Sequence, residues 1–234
     1  MIYALIAAGL IFWLRSILGT RDEDEAQRPP LRLELDDNGK VVNLDAPERE
    51  ADKSALVAEL AQNPKGNMAI TDRSVENVLT DIAKIDREFD VYKFLQASQD
   101  AFVFIVESFA DGDRETLRDL LGDEVYNAFD GAIAAREKAG ETMMAEIQAI
   151  EKSEICEARL DGKKAFITVR FWAEEVSVTK DENGEIVAGH PDATIKMRDV
   201  WTFTRDLKSR DPRWFVVETR EDGEGDNENI PNTH

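Results

Sequence analysis

Aromatic and charged side chains alternate along two consecutive predicted strands in the second half of the chain. Alternate residues of a strand point to the same side of a sheet. The pattern predicts a surface with an aromatic floor and an arginine–aspartate pair, which could hold an apolar ligand or a partner's side chain. Filling of the core and a cross-strand ion pair would explain the same residues. The candidates, including one on the following strand, are Phe166, Arg170, Trp172, Asp199, Trp201, Phe203, Arg205 and Trp214.

The sequence offers few residues for metal or nucleophilic chemistry. One cysteine, Cys156, and two histidines, His190 and His234, exclude an internal disulfide and a cysteine-based zinc site. They also leave little material for a Ser-His-Asp triad. The acidic residues around Gly112 and Gly184 resemble metal loops only in part, and helix caps and turns need the same residues. We therefore predict no catalytic residue, no cofactor and no metal site.

The charge of the chain limits its partners. Its 234 residues carry a formal net charge of −20 at pH 7. Nonspecific attraction to nucleic acid is unfavourable at that charge, because nucleic acid is itself a polyanion. We predict no nucleic-acid partner.

Helical spacing of apolar residues dominates from residue 71 to residue 138. Thr71 and Asp72 can cap a first helix, which would extend to Phe89. A second helix is predicted over about 91–110, and Asp113 would cap a short third helix that ends near residue 121. A fourth helix should occupy about 123–138, before Gly140 ends it.

After Gly140 the period changes to two, which indicates strands. Four strands are predicted over 143–155, 165–178, 194–205 and 213–220, separated by turn residues such as Asp161 and Gly162. Helices followed by hairpins predict an α+β domain over 71–221, with the helices on one face of a curved four-stranded antiparallel sheet.

The first fourteen residues carry no charged side chain, and Arg15 follows them. If Arg15 extends to the lipid headgroups, a helix up to Leu18 would span roughly 27 Å at 1.5 Å per residue. Basic flanks stay in the cytoplasm, so residues 1–19 are predicted to be a single-pass anchor with its N-terminus outside. An interfacial helix and a signal peptide are the alternatives. The predicted anchor residues are Ile2, Leu5, Ile6, Leu10, Ile11, Phe12, Trp13 and Leu14.

Charged and turn-forming residues fill the segment between the anchor and the domain. Asp22 to Glu50 includes ten acidic and four basic residues, so like charges would extend the segment. We predict a flexible acidic linker over 20–70, interrupted by a short helix near Ser54 to Ala61. The acidic tail, 222–234, is predicted to be disordered.

Several segments of the predicted domain, taken in order, resemble the Tim44-like domain family. The matching residues are 89–90, 94–105, 112–113 with 117 and 120–121, 124–136, 162 with 165–171, 179–189, 199–205 and 214–219, and residues 14–21 resemble the junction after the anchor in bacterial TimA-type members. The resemblance implies a cone of helices on a strongly curved sheet, of the cystatin-like or nuclear-transport-factor-like kind, with a hydrophobic pocket.

The resemblance also implies a function. Family members include a tether of the mitochondrial import motor, so a non-enzymatic adaptor is expected on the cytoplasmic face of a bacterial inner membrane. It would bind proteins of membrane-protein translocation, assembly or quality control. The alternative is a pocket for a lipid or another apolar ligand, with isomerase-like chemistry if Asp199 or Glu174 shuttles a proton.

Overall fold

A computed structural model describes the backbone of residues 33–35, 41–43, 45–71 and 73–222, and the side chains of residues 53–71 and 73–222. Within these ranges, no helix is both long enough and apolar enough to cross a membrane. The predicted anchor at residues 1–19 and the tail after Asp222 lie outside the described residues.

Five helices and eight strands make up the described part of the chain. In chain order they are β1 (Leu33–Leu35), β2 (Val41–Asn43), α1 (Asp45–Gln62), β3 (Met68–Ile70), α2 (Arg73–Ile85), α3 (Val91–Asp111), α4 (Arg114–Leu120), α5 (Asp123–Lys138), β4 (Thr142–Asp161), β5 (Lys164–Lys180), β6 (Ile186–Gly189), β7 (Ile195–Asp206) and β8 (Phe215–Glu221). The α+β class is confirmed. The predicted helices end close to the observed ones, except that α2 stops four residues before Phe89.

The prediction of a four-stranded antiparallel sheet is wrong in two respects. The main sheet has six strands in the order β3-β4-β5-β7-β8, with β6 paired to β5. In addition, β3 runs parallel to β4, so the sheet is mixed. Both additional strands are short, at three and four residues. So short a run gives no readable alternation of polar and apolar residues.

The segment assigned to the flexible linker contains two packed elements. In α1, Val57 and Leu60 are buried in the same core as the later helices. β3 extends the sheet at Ser153 of β4, whose amide donates a hydrogen bond to the Asn67 carbonyl, 2.7 Å away. The folded part of the chain therefore begins well before residue 71.

Helix α3 lies at the centre of the fold. The Asp90 carboxylate accepts hydrogen bonds from the amides of Tyr92 and Lys93 at its start, and Gly112 ends it at a positive φ of 71°. Thirteen residues of α3 are buried, because the helix packs on β4 and also meets α1, α4 and α5. Its aromatic side chains extend from there over the inner face of β5 and β7.

Candidate partner-binding site

The predicted surface residues lie on opposite faces of the sheet. In the β5–β7 pairing, Val169 is opposite Trp201 and Ile167 is opposite Phe203, so the β7 candidates share the helix-covered inner face. The β5 candidates fall on the outer face, because they alternate with Ile167 and Val169. The structure therefore does not bring Phe166, Arg170 and Trp172 together with Asp199, Trp201, Phe203 and Arg205, and the single surface that we predicted is wrong.

The inner-face aromatic residues fill the space between α3 and the sheet. Phe102 contacts Phe171 and Trp201 at ring-centre distances of 4.6 and 4.9 Å. Phe94 contacts Phe203 at 5.8 Å and Trp214 at 4.9 Å. Both Trp201 and Phe203 are buried. At these positions the aromatic residues therefore fill the core, as the alternative interpretation of the sequence proposed.

Arg205 forms an ion pair with an aspartate that is not among the predicted candidates. Its Nη1 atom lies 2.8 Å from Oδ2 of Asp86, in the turn after α2. Oδ1 of Asp86 accepts a hydrogen bond from the amide of Glu88. Both side chains are nearly buried. The ion pair therefore connects the turn between α2 and α3 to the end of β7.

The outer-face candidates belong to a layer of charged and aromatic side chains. Arg170 Nε lies 2.8 Å from Oδ2 of Asp222, and Arg198 Nε lies 3.1 Å from the same atom. Lys152 lies over the ring of Trp172, 4.6 Å from its centre. The Arg159 guanidinium lies 3.5 Å from the ring centre of Phe166. This layer covers the sheet on the side away from the helices.

Two acidic side chains on the inner face have no ion-pair partner among the described residues. Glu175 is 7% exposed, and its Oε1 atom has no hydrogen-bond partner. Burial raises the pKa of Glu175 to about 7, and the charge of Asp199 adds to the rise, while a hydrogen bond with Ser177 opposes it. Burial also raises the pKa of Asp199 to about 7, helped by Glu221 and opposed by a hydrogen bond with Trp201.

Glu174, the other acid named from the sequence, is in a different situation. It lies on the outer face opposite Lys196, whose Nζ is 3.3 Å from its carboxylate. Sequence reasoning missed Glu175, although its position offered a signal. It follows Phe171 and Ala173 at intervals of two, so an acidic residue continues a buried apolar row.

Turn and cap chemistry accounts for the two acidic loops. Asp113 accepts hydrogen bonds from the amides of Glu115 and Thr116 at the start of α4. Asp181 accepts hydrogen bonds from the amides of Asn183 and Glu185 in the turn between β5 and β6. In the part of the chain that the structure describes, no group of three histidine, cysteine or acidic residues could hold a metal ion.

Fold and site together define an α+β domain in which helices cover one face of a mixed sheet and the carboxyl groups of Glu175 and Asp199 face the covered side. Residues 75–221, more than half of the chain, match the Tim44-like domain. The chain belongs to the Tim44-like domain family.

Two named relatives match part of this chain within longer chains. This chain is 28% identical over 139 residues to mitochondrial import inner membrane translocase subunit TIM44 of Rattus norvegicus, covering 59% of this chain and 31% of the relative. It is 26% identical over 157 residues to a probable mitochondrial import inner membrane translocase subunit, tin-44, of Caenorhabditis elegans, covering 65% of this chain and 37% of the relative. The chain thus spans about a third of the length of these relatives.

Among solved structures, the intermembrane space region of the chloroplast protein ARC6 shows a weak likeness. The TM-score is 0.33 at 16% identity, covering 49% of this chain and 82% of that one.

Proposed function

We propose that this chain is a membrane-anchored, non-enzymatic adaptor of the bacterial TimA type. Residues 1–19 would cross the inner membrane once, and the α+β domain would bind protein partners on the cytoplasmic side. The observation that carries the proposal is the match to the Tim44-like domain over residues 75–221, since relatives with this domain are named as inner-membrane translocase subunits. The uncharged start of the sequence supports the anchor.

Crosslinking in intact membranes tests the adaptor. Full-length chain and a control chain of residues 1–44, which ends before α1, would be expressed at equal levels, crosslinked and examined by mass spectrometry. We expect proteins of membrane-protein translocation, assembly or quality control to be enriched on the full-length chain only. Equal capture by both chains would contradict the adaptor proposal.

Alkaline extraction tests the anchor separately. A membrane-spanning helix stays in the lipid pellet, whereas a helix on the surface is released. We expect the full-length chain to remain in the pellet and a chain that lacks residues 1–19 to appear in the supernatant. Release of the full-length chain would mean that residues 1–19 form an interfacial helix and do not span the membrane.

Binding of an apolar small molecule or lipid is the second candidate function. The unpaired Asp199 favours it, because a carboxyl group beside Trp201 and without a cation could shuttle a proton in an isomerase-like reaction. Mass spectrometry of an organic extract of the purified full-length chain tests this function. A stoichiometric apolar compound that is lost from Asp199→Asn would support it, and an extract without such a compound would oppose it.

A further inference from the structure

Three successive rows of paired residues on β5 and β7 form the inner face of the sheet at one end. In these rows Phe171 is opposite Asp199, Ala173 is opposite Met197, and Glu175 is opposite Ile195. The two carboxylates are therefore in the first and third rows, on different strands, with a small and a flexible apolar residue between them. We call these six residues the carboxylate end of the inner face.

Exposure changes across the carboxylate end. Ile195 is 47% exposed, and Asp199 is partly exposed. Glu175 is almost fully buried, and its Oε1 atom has no hydrogen-bond partner. A buried oxygen atom that accepts no hydrogen bond is costly. A donor that enters past Ile195 would remove this cost.

Acidic groups also face the carboxylate end from the neighbouring elements. On β8, Glu221 is the cross-strand partner of Asp199. On β4, Ile147 is opposite Glu175, and Glu107 of α3 accepts a hydrogen bond from the Ile147 amide. The nearby lysine of β7, Lys196, is on the outer face with Glu151 and Glu174. The described surroundings of the site thus supply negative charge and no cation.

These features favour a planar organic cation as the ligand of the carboxylate end. A metal ion would have two carboxylate ligands, and no group of three suitable residues is present among the described ones. A guanidinium has five donors in a rigid fork and is weakly hydrated, so it can lie between separated carboxylates and tolerate partial burial. An ammonium is a compact and strongly hydrated charge, which makes its burial less favourable.

We propose that the carboxylate end binds an arginine side chain of a protein partner, with the guanidinium between Glu175 and Asp199 and an apolar neighbour of that arginine on Ile195. The proposal rests on the proposed adaptor function, because it assigns the chemistry by which the domain recognises its partner. Binding of the cation favours the ionised carboxylates, so protons leave the site as the arginine enters.

A pair of matched peptides provides the probe. The first is the acetylated, amidated tripeptide Leu-Arg-Leu, and the second carries citrulline, an uncharged analogue, in place of arginine. Purified full-length chain with 13C-labelled glutamate and aspartate carboxyl groups is titrated with each peptide. Glu175→Gln and Asp199→Asn assign the two signals, and Glu174→Gln on the outer face of the same strand is the control variant.

The expected result is a saturable shift of the Glu175 and Asp199 signals towards the ionised form with the arginine peptide alone. Affinity should be at least about tenfold higher at pH 8 than at pH 5.5, because a lowering of the carboxyl pKa by one unit corresponds to a factor of ten. Glu175→Gln and Asp199→Asn should each lose at least about tenfold in affinity, and Glu174→Gln should bind normally. Equal effects of the two peptides, or no movement of these signals, would overturn the proposal.

The same variants separate this proposal from the adaptor function. In membrane crosslinking, we expect Glu175→Gln and Asp199→Asn to lose the captured partner and Glu174→Gln to keep it. If both inner-face variants still capture the partner, the proposed arginine site is wrong and the adaptor function stands. If no partner is captured but the arginine peptide still binds selectively, the adaptor function is wrong and the arginine site stands.

Discussion

Burial of Glu175 makes the stability of the folded domain depend on pH. Its pKa rises from 4.5 to about 7 on folding, chiefly because burial disfavours the charged form. A carboxyl group whose pKa is raised in the folded state binds its proton more tightly there than in the unfolded chain. The contribution of protonated Glu175 to the stability of the fold is therefore complete below pH 4.5 and is lost as the pH rises to about 7.

We predict that Glu175→Gln makes the domain more stable at pH 8 and leaves it nearly unchanged at pH 4.5. The neutral amide avoids the cost of a buried charge, which amounts to up to about 3 kcal/mol at 1.4 kcal/mol per pKa unit. Urea unfolding of wild type, Glu175→Gln and the outer-face control Glu174→Gln at both pH values measures the effect. A difference between wild type and Glu175→Gln that does not change with pH would contradict the prediction.

The pair of Arg205 and Asp86 gives a second prediction for single residues. Removing one partner of a buried ion pair leaves an uncompensated charge, which costs about 3 to 5 kcal/mol. We expect Arg205→Ala to lower the free energy of unfolding by an amount in this range. Lys84→Ala, which breaks the exposed pair with Asp81, should cost less than about 0.5 kcal/mol. Similar losses in the two variants would show that the Arg205 pair behaves as an exposed one.

At the scale of elements, α1 decides where the folded part of the chain begins. Leu60 is fully buried, whereas Gln62 of the same helix is exposed. We predict that Leu60→Ala lowers the free energy of unfolding by about 2 to 5 kcal/mol, the usual cost of a large cavity in a core. Gln62→Ala should change it by less than about 0.5 kcal/mol. A flexible linker over 20–70 would instead make both substitutions neutral.

The long elements could be predicted from the sequence, and the short ones could not. Helix α5 follows the predicted 123–138, because Val125, Phe129 and Ile133 repeat at four-residue intervals and are buried. β3 has no such pattern. It is held through contacts from distant parts of the chain, in which Gln99 Nε2 donates to Ser153 Oγ at 2.6 Å and Asn67 Nδ2 donates to the Ile150 carbonyl at 3.0 Å. Such contacts follow from the fold and leave no local signal.

For the candidate site, the sequence did not predict the register between the strands. Alternation correctly grouped Asp199, Trp201 and Phe203 on one face, because they belong to one strand. It could not place Phe166 and Trp172 relative to them, since a shift of one residue between strands exchanges the two faces. The observed register pairs Phe166 with Thr204 and Trp172 with Arg198, which puts both aromatic residues outside.

At the scale of the whole molecule, the proposed orientation depends on where the domain lies. Basic residues that follow an apolar helix favour a cytoplasmic location for the chain after it. The chain has one cysteine, Cys156, and the Sγ atom of Cys156 contacts the Thr168 carbonyl. A Cys156→Ser background therefore allows a single new cysteine to report which side of the membrane the domain occupies.

We predict that a cysteine at position 183, in the exposed turn after β5, reacts with a membrane-impermeant maleimide only after the cells are opened. Asn183→Cys in the Cys156→Ser background would be labelled in intact spheroplasts and after lysis. A periplasmic protein with one exposed cysteine serves as the control for reagent access, and the Cys156→Ser chain alone controls for background. Labelling of position 183 in intact spheroplasts would place the domain outside. The partner proposed for Glu175 and Asp199 would then have to be sought in the periplasm.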